Sequence, residues 1–287
     1  MYKISTFGAM TPRDELKALL AQKELFIFDL DGTLFNTLGD LAPAVNYAMT
    51  QFGLRTHSND DVRTFIGNGS MNLIRRAVAA NFIPVASTRD MEKVAETLAR
   101  ENYSEETIKA IHKVYSDFYW EHCTENTEPY EGVVELLQRI SNRAENFNRN
   151  EDCAECDKNG AQPVNCVATK SAKVRCAAML TNKPVAPAQK ILKKFGLENS
   201  FATYLCGDTT PERKPSPAGI FEILRQTGIT PEKAIMIGDD TPDVLAAKNA
   251  SIDCITLFKG FGKAENLLPL EPRYTAGHIK DFAEFID

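Results

Sequence analysis

Asp29 and Asp31 are one residue apart, directly after the apolar run Leu25–Phe28 and directly before Gly32. Two like charges this close repel each other unless something positive lies between them. A divalent cation such as Mg²⁺ is commonly held by one or two carboxylates together with the oxygens of a bound phosphate. The pair therefore indicates metal-assisted chemistry on an anionic group.

Further polar residues follow other apolar segments or lie in the loops just beyond them. They are, in chain order, Thr181, Asn182, Lys214, Asp239, Asp240 and Asp243. In a parallel sheet the carboxyl ends of the strands meet at one edge, where ligands bind. We therefore expect these residues to converge on the same site as Asp29 and Asp31.

Phosphoryl transfer by way of a covalent phosphoenzyme is the chemistry that these acids, the threonine and the lysine favour. Asp29 can attack a phosphate as the nucleophile and become an aspartyl phosphate. Asp31, two residues on, can protonate the leaving oxygen and later deprotonate the hydrolytic water. Thr181 offers a hydroxyl and a backbone N–H to a phosphate oxygen, and Lys214 neutralises the phosphate charge.

Magnesium is the predicted cofactor of this site. The predicted metal ligands are Asp29, Asp31 and Asp239, with Asp240 and Asp243 in support. The predicted contacts to the substrate phosphate are Gly32, Thr181, Asn182 and Lys214. Gly32 permits the close turn, and its neighbouring amides are expected to face the phosphate. Asp243 is expected to orient Lys214 or a metal-bound water.

Alternating strand and helix patterns predict the elements that position these residues. The predicted strands are 25–29, 174–180, 202–207, 234–240 and 253–258, with four connecting helices. Helical crossovers between strands indicate a parallel sheet, so the fold class is α/β with a Rossmann-like core. A short helix before the first strand is predicted to have Thr11 as its N-cap and Pro12 in its first turn.

Residues 38–128 break this alternation, because every segment there has the period of a helix. Ser70 is predicted to cap one of these helices, and an aromatic stripe with Tyr115 and Tyr119 is expected to form the core of the segment. An all-helical segment after the first strand predicts an inserted cap domain. The predicted domains are thus an α/β core of 1–37 and 129–287 and a helical cap of 38–128.

Four segments resemble, in order and spacing, the motifs of the haloacid dehalogenase-like hydrolase superfamily. They are FDLDGTLFNT, MLTNKP, ERKPSP and IGDDTPDVLAA, and the resemblance runs from residue 24 to the end. In phosphatases of that family the first acid is the nucleophile, the acid two residues on is the general acid/base, and an acid of the last motif binds Mg²⁺. These match Asp29, Asp31 and Asp239. The retained Asp31 argues against a dehalogenase, whose family members lack that acid.

The helical segment resembles the C1-type cap of the same family, and it is similar in particular to phosphoglycolate phosphatases. The resemblance implies that the loop with Gly67 and Asn68 faces the site and binds substrate, with 2-phosphoglycolate as the leading candidate. The alternative is an ordinary turn between helices. Arg75 and Arg76 could meet a substrate carboxylate or lie on a solvated helix face.

Net charge and hydropathy restrict the partners of the protein. The net charge of −6 gives no basic surface for nucleic acid or an anionic membrane. No apolar run approaches the roughly 18 residues of a membrane span, and the N-terminus lacks the layout of a secretory signal. We expect a cytoplasmic monomer or homodimer that acts on a small phosphorylated metabolite.

An insertion at about 144–173 departs from the family pattern. It contains three cysteines, and a fourth follows it; the four are Cys153, Cys156, Cys166 and Cys176. These cysteines could hold a structural Zn²⁺, although Cys176 is expected to belong to a strand. The alternative is a flexible loop with free thiols.

Two other functions fit the same residues. A sugar phosphomutase would pass the phosphoryl group from Asp29 to a second substrate hydroxyl instead of water. A non-catalytic protein would keep the fold and bind a partner through the cysteine insertion. The resemblance of the cap to phosphatase caps favours hydrolysis over phosphoryl transfer to a second substrate. The complete set of acids, threonine and lysine counts against a non-catalytic protein.

Overall fold

A parallel sheet of six strands lies at the centre of the structure, a computed structural model that describes residues 10–150, 175–210 and 212–286. The strands in chain order are β1 (Leu25–Phe28), β2 (Phe35–Asn36), β3 (Glu128–Pro129), β4 (Cys176–Leu180), β5 (Thr203–Leu205), β6 (Ala234–Gly238), β7 (Asp253–Leu257) and β8 (Tyr274–Ala276). The six-stranded sheet has the order β5-β4-β1-β6-β7-β8, and every neighbouring pair is parallel. Strands β2 and β3 pair antiparallel in a separate ribbon.

Helices cover the sheet and form a second body beside it. In chain order they are α1 (Arg13–Leu20), α2 (Leu38–Gln51), α3 (Asn59–Phe65), α4 (Ser70–Ala79), α5 (Met91–Arg100), α6 (Glu105–His122), α7 (Val133–Asn150), α8 (Val185–Lys194), α9 (Ala218–Thr227), α10 (Thr241–Asn249) and α11 (Ala264–Leu267). None of the helices within the described residues is both long and apolar enough to cross a membrane. The predicted α/β fold class is confirmed.

Strand β1 is central and buried on both faces. All four of its residues are buried, as are the five of β6, so both strands read as continuous apolar runs. The chain leaves β1 toward β4 and β5 on one side and returns to β6 on the other, which makes the end of β1 the switch point of the sheet. Ligands of such sheets bind at that point, so the residues after β1 occupy its catalytic position.

The sheet differs from the sequence prediction at its ends. Strand β8 is a sixth strand that the pattern did not predict, because three residues are too few to show an alternation. The predicted N-cap Thr11 is wrong: Pro12 occupies that position, and the N–H of Thr11 donates to Thr275 O at 3.1 Å. The N-terminal segment thus binds to the edge strand of the sheet.

Helices α2 to α6 form what we call the helical block, residues 38–123. Its buried apolar side chains form a hydrophobic cluster that also takes in Phe261 from the loop after β7. Tyr115 and Tyr119 belong to this cluster, as expected. The predicted cap Ser70 is instead the first residue of α4, with Gly69 at the N-cap. The Ser70 hydroxyl does not cap the helix but lies 2.8 Å from Nε2 of His112.

The cysteine insertion falls largely outside the described residues. Cys153, Cys156 and Cys166 lie there, so the two alternatives for these cysteines, a zinc site and free thiols, both fall outside the described residues. Cys176 is the first residue of β4, which confirms its assignment to a strand.

Asp40, at the start of α2, joins the helical block to the segment that follows α6. Its carboxylate is 3% exposed and accepts four hydrogen bonds of 2.7–3.0 Å, from the N–H and side chain of Asn126 and from the N–H and hydroxyl of Thr127. An asparagine has only one acceptor oxygen, so its amide group must face a backbone N–H.

We expect Asp40→Asn to lower the free energy of unfolding by about 2–4 kcal/mol, because it leaves a buried donor without an acceptor. Urea unfolding measures the loss. The matched control is Asp60→Asn, an exposed aspartate in the first turn of α3. Equal free energies of unfolding for the two variants would show that the hydrogen bonds of Asp40 do not stabilise the fold.

Candidate active site

The residues predicted from the sequence meet in one cavity between the sheet and the helical block. Those that line it are Asp29, Asp31, Gly67, Asn68, Thr181, Asn182, Lys214, Asp239, Asp240 and Asp243. Gly32 is not among its lining residues, and its N–H already donates to the carbonyl of Phe35 at 2.9 Å. The cavity lies at the carboxyl ends of β1, β4 and β6.

Lys214 lies between two carboxylates at the bottom of the cavity. Its Nζ is 2.7 Å from Oδ1 of Asp29 and 2.6 Å from Oδ1 of Asp243. Burial alone would lower the pKa of Lys214, but the carboxylates of Asp243 and Asp29 outweigh it and raise that pKa. The lysine is therefore a fixed positive charge beside Asp29.

Asp243 contacts Lys214, the residue that it was predicted to orient. Its second carboxylate oxygen accepts the N–H groups of Asp239 and Asp240 at 3.1 and 3.0 Å. Because α10 begins at Thr241, directly after β6, this carboxylate reaches back over the end of the strand. It thus ties the two acids after β6 to Lys214.

Asp239 is held by the loops that follow β1 and β7. Its carboxylate accepts the Thr33 hydroxyl at 2.6 Å and the N–H of Phe261 at 2.7 Å. Gly32 has a positive φ of 86°, and a Cβ at that residue or at Gly260 would overlap the Asp239 side chain. The close approach of backbone to this carboxylate is the physical reason for both glycines.

Three carboxylates in the cavity are arranged for a metal ion. Among the described residues, Asp29, Asp239 and Asp243 each offer an oxygen, and these oxygens lie within 4.8 Å of one another. Hard oxygen ligands in this number suit Mg²⁺, which completes its shell with water and substrate phosphate. The residues present therefore fit the predicted ion.

The pKa values of the acids in the metal-free protein also favour a cation site. Burial, together with the carboxylates of Asp243 and Asp31, raises the pKa of Asp29 to about 7 despite the opposing Lys214. Burial and the neighbouring Asp243 and Asp29 raise the pKa of Asp239 well above its usual range. One lysine does not balance this group of acids, and a bound divalent cation would.

Asp31 has different partners from the other acids. Its Oδ1 accepts the Thr37 hydroxyl at 2.7 Å, and Nζ of Lys183 lies 2.9 and 3.2 Å from its two oxygens. Its carboxylate does not belong to the group of three described above. Side-chain geometry therefore lends support to Asp243 as a metal ligand and none to Asp31.

Thr181 and Asn182 offer the phosphate fewer hydrogen-bonding groups than the sequence predicted. The Thr181 N–H was predicted to bind phosphate, but it donates to Leu205 O at 3.0 Å within the sheet. Only the hydroxyl of Thr181 can then donate to a phosphate oxygen. The Asn182 amide makes two 3.0 Å hydrogen bonds to the backbone N–H and C=O of Lys214. Asn182 thus positions Lys214 from the neighbouring loop.

The loop Gly67–Gly69 comes from the helical block and faces the core. All three residues have positive φ, of 109°, 59° and 88°, a conformation that glycine and asparagine tolerate best. Arg76 stabilises the loop by donating to the carbonyls of Phe65, Ile66 and Gly67. The arginine is 3% exposed, so the interpretation of Arg76 as a solvated residue is wrong.

We did not predict from the sequence that Lys183 and Tyr119 line the cavity. Both line the cavity, and Nζ of Lys183 donates to the Tyr119 hydroxyl at 2.6 Å. Lys183 directly follows Thr181 and Asn182, so its place after a strand end was a usable signal. No local pattern could have indicated Tyr119, because it lies 64 positions away on α6.

Taken with the fold, this arrangement defines a protein with a Rossmann-like α/β core whose candidate reaction centre lies where β1 ends, beneath a block of helices. A sequence model of the haloacid dehalogenase-like hydrolases matches residues 26–146 and 169–257. The chain belongs to that family, and the resemblance noted in its motifs is confirmed.

Individual relatives agree with this assignment. The chain is 30% identical over 265 residues to a phosphoglycolate phosphatase of Psychrobacter arcticus, covering 92% of this chain and 95% of the relative. It is 31% identical over 255 residues to one of Colwellia psychrerythraea, covering 89% and 93%. The crystal structure of a predicted phosphoglycolate phosphatase from Haemophilus somnus 129PT superposes with a TM-score of 0.70 at 25% identity, covering 93% of this chain and 99% of that one.

Proposed function

We propose that the protein is a Mg²⁺-dependent phosphatase that hydrolyses 2-phosphoglycolate through an aspartyl phosphate. The observation that carries the proposal is the meeting of Asp29, Asp31 and Lys214 with a metal-binding group of carboxylates in one cavity. The substrate comes from the relatives at about 30% identity, which are phosphoglycolate phosphatases.

Asp29 is the nucleophile in this proposal. Its carboxylate attacks the phosphorus, a new oxygen–phosphorus bond forms, and the bond to the glycolate oxygen breaks. Lys214, at 2.7 Å from this carboxylate, keeps it oriented and neutralises charge on the phosphoryl group. The Thr181 hydroxyl is free to donate to a phosphate oxygen.

Asp31 transfers protons in both halves of the reaction. It gives a proton to the leaving glycolate oxygen, and it then takes one from the water that attacks the aspartyl phosphate. The hydrogen bond from Thr37 and the contact with Lys183 hold its carboxylate in place. Phosphate is released and Asp29 is regenerated.

Asp29, Asp239 and Asp243 would hold the magnesium ion. When bound, the ion supplies positive charge that draws the phosphate oxygens and the attacking carboxylate together. Asp239 is already held in place by the Thr33 hydroxyl and by the Phe261 N–H.

The remaining assignments are part of the same proposal. The α/β core is 1–37 and 129–287, and the helical cap is 38–128, with Gly67 and Asn68 facing the substrate. A cytoplasmic location and a monomer or homodimer stay predictions from the sequence.

Phosphate release from a panel of small phosphoesters, with Mg²⁺ and with a chelator, tests the proposal. We expect 2-phosphoglycolate to be the best substrate and chelation to remove nearly all turnover, because the acids then repel the anionic substrate. The control is re-addition of Mg²⁺ after chelation, which should restore the rate. Broad turnover without preference would discard the substrate, and no release from any compound would discard the phosphatase.

A further inference from the structure

Two cationic side chains line the cavity among the residues the structure describes, Lys183 and Lys214. Lys214 is engaged at the phosphoryl end of the site, where it contacts Asp29 and Asp243. Lys183 lies away from these two acids and next to Asp31. Since Asp31 is the group proposed to protonate the leaving oxygen, Lys183 is on the side where the leaving group must lie.

Lys183 is fixed from both sides of the cavity. Its side chain is 3% exposed, and its Nζ donates to Asp31 of the core and, at 2.6 Å, to the hydroxyl of Tyr119 on α6. An ammonium has three N–H donors. Tyr119 takes one and the Asp31 carboxylate needs one, which leaves a donor for a ligand.

The wall that the helical block adds to the cavity is largely apolar, with Asn68, Ser70 and Ser116 as its polar members. The helical block contributes to the cavity wall the side chains of Leu41, Leu73, Tyr115, Tyr119 and Trp120. An anionic group of a ligand would lose its hydration there and needs a cation to compensate. In such surroundings a single charge-assisted hydrogen bond discriminates strongly between an anion and a neutral group of similar size.

The arginines suggested by the sequence are engaged elsewhere. Arg75 pairs with Glu105 at 2.7 Å on the surface of the helical block, and Arg76 is occupied with backbone carbonyls. Neither lines the cavity. The carboxylate end of a substrate therefore has Lys183 as its available partner.

We propose that Lys183 is the specificity residue that binds the carboxylate of the leaving group. This inference rests on the proposed phosphatase function and adds the group that selects an acidic ester over a neutral one. Phosphate is bound around Asp29 and Lys214, and the carboxylate contacts Nζ of Lys183 beside Asp31.

A pair of substrates isolates this contact: 2-phosphoglycolate and 2-hydroxyethyl phosphate, in which a hydroxymethyl group replaces the carboxylate. We expect the wild-type protein to prefer the acid. In Lys183→Met that preference, as a ratio of kcat/KM values, is expected to fall roughly 10- to 100-fold, mainly through KM for the acid. Lys183→Arg should keep most of the preference because it keeps the charge.

The control is Lys193→Met, the same change at an exposed lysine on α8, which should leave both substrates unaffected. A second readout is inhibition by glycolate, with p-nitrophenyl phosphate as the reporter substrate. Glycolate should inhibit the wild-type protein better than ethylene glycol does, and Lys183→Met should remove that difference.

Several results would overturn the proposal. An equal fall for both substrates in Lys183→Met, with the ratio unchanged, would mean that Lys183 acts only by holding Asp31. If Lys183→Met fails to fold, a wild-type protein with no preference for the acid and no selective inhibition by glycolate would still refute it. If the wild-type protein hydrolyses no phosphoester with Mg²⁺ present, that result would instead refute the proposed phosphatase function on which this inference rests.

Discussion

Asp29→Asn is expected to reduce phosphate release from 2-phosphoglycolate by at least about 10⁴-fold in kcat/KM, because an amide cannot form the aspartyl phosphate. The variant keeps the shape of the side chain, and Lys214 keeps its 2.6 Å contact with Asp243. The loss of kcat/KM therefore reflects the missing nucleophilic oxygen and not a change in the structure of the site. Steady-state phosphate release measures it.

Thermal unfolding of the same variant supplies the control. Because folding raises the pKa of Asp29 from 3.8 to about 7, the folded protein holds that proton more tightly than the unfolded chain does. The group therefore favours folding at low pH, and this contribution is lost as the pH rises through about 7. At pH 8 in chelator, Asp29→Asn should have a Tm at least equal to that of the wild type.

A folded Asp29→Asn protein that still releases phosphate at a rate near that of the wild type would refute the covalent mechanism. In that case water would attack the phosphate directly. A drop in Tm together with the loss of activity would leave the variant uninformative about chemistry, and Asp29→Glu, which keeps a carboxylate one methylene further out, would then take its place.

Asp31→Asn is expected to reduce turnover of 2-phosphoglycolate about 10²- to 10⁴-fold, the range for loss of a general acid/base. An alkoxide is a poor leaving group without a proton, so the first half of the reaction slows. With p-nitrophenyl phosphate, whose leaving group needs no proton, phosphorylation of Asp29 should persist. The second half still lacks its base, so the aspartyl phosphate should accumulate.

Intact-protein mass spectrometry after mixing with p-nitrophenyl phosphate detects this intermediate as one added phosphoryl group. A burst of nitrophenol followed by slow turnover is the kinetic sign. Asp60→Asn is the matched control, since it makes the same change at an exposed site. Equal slowing for both substrates, with no phosphorylated protein, would argue that Asp31 positions groups and moves no proton.

The two acids differ in their surroundings as they do in their proposed roles. Asp29 is buried beside Lys214 and within the group of carboxylates that fits a metal ion. Asp31 is held by Thr37 and Lys183 at the edge of the helical block. A separation of environments between two neighbouring carboxylates is how one site can supply both a nucleophile and a proton-transfer group.

The α/β fold class and the acids that line the cavity could be predicted from local patterns, together with Thr181 and Lys214. Asp29, Thr181 and Asp239 each follow a buried strand, and the carboxyl ends of parallel strands must meet at one edge. Their convergence follows from local hydrophobic patterns together with a general property of parallel sheets. Lys214 could be placed in the same way from its loop after β5.

Which side chains contact one another inside that cavity depends on the packing of distant segments. Lys183 and Asp31 are 152 positions apart, and Tyr119 reaches them from a helix of the block. Such contacts depend on how α6 packs against the core, which no local period encodes. Hydrogen bonding also showed that the Thr181 N–H belongs to the sheet, because each backbone atom can serve only the partners the fold brings within reach. The tertiary structure likewise brings an oxygen of Asp243 within 4.8 Å of oxygens from Asp29 and Asp239.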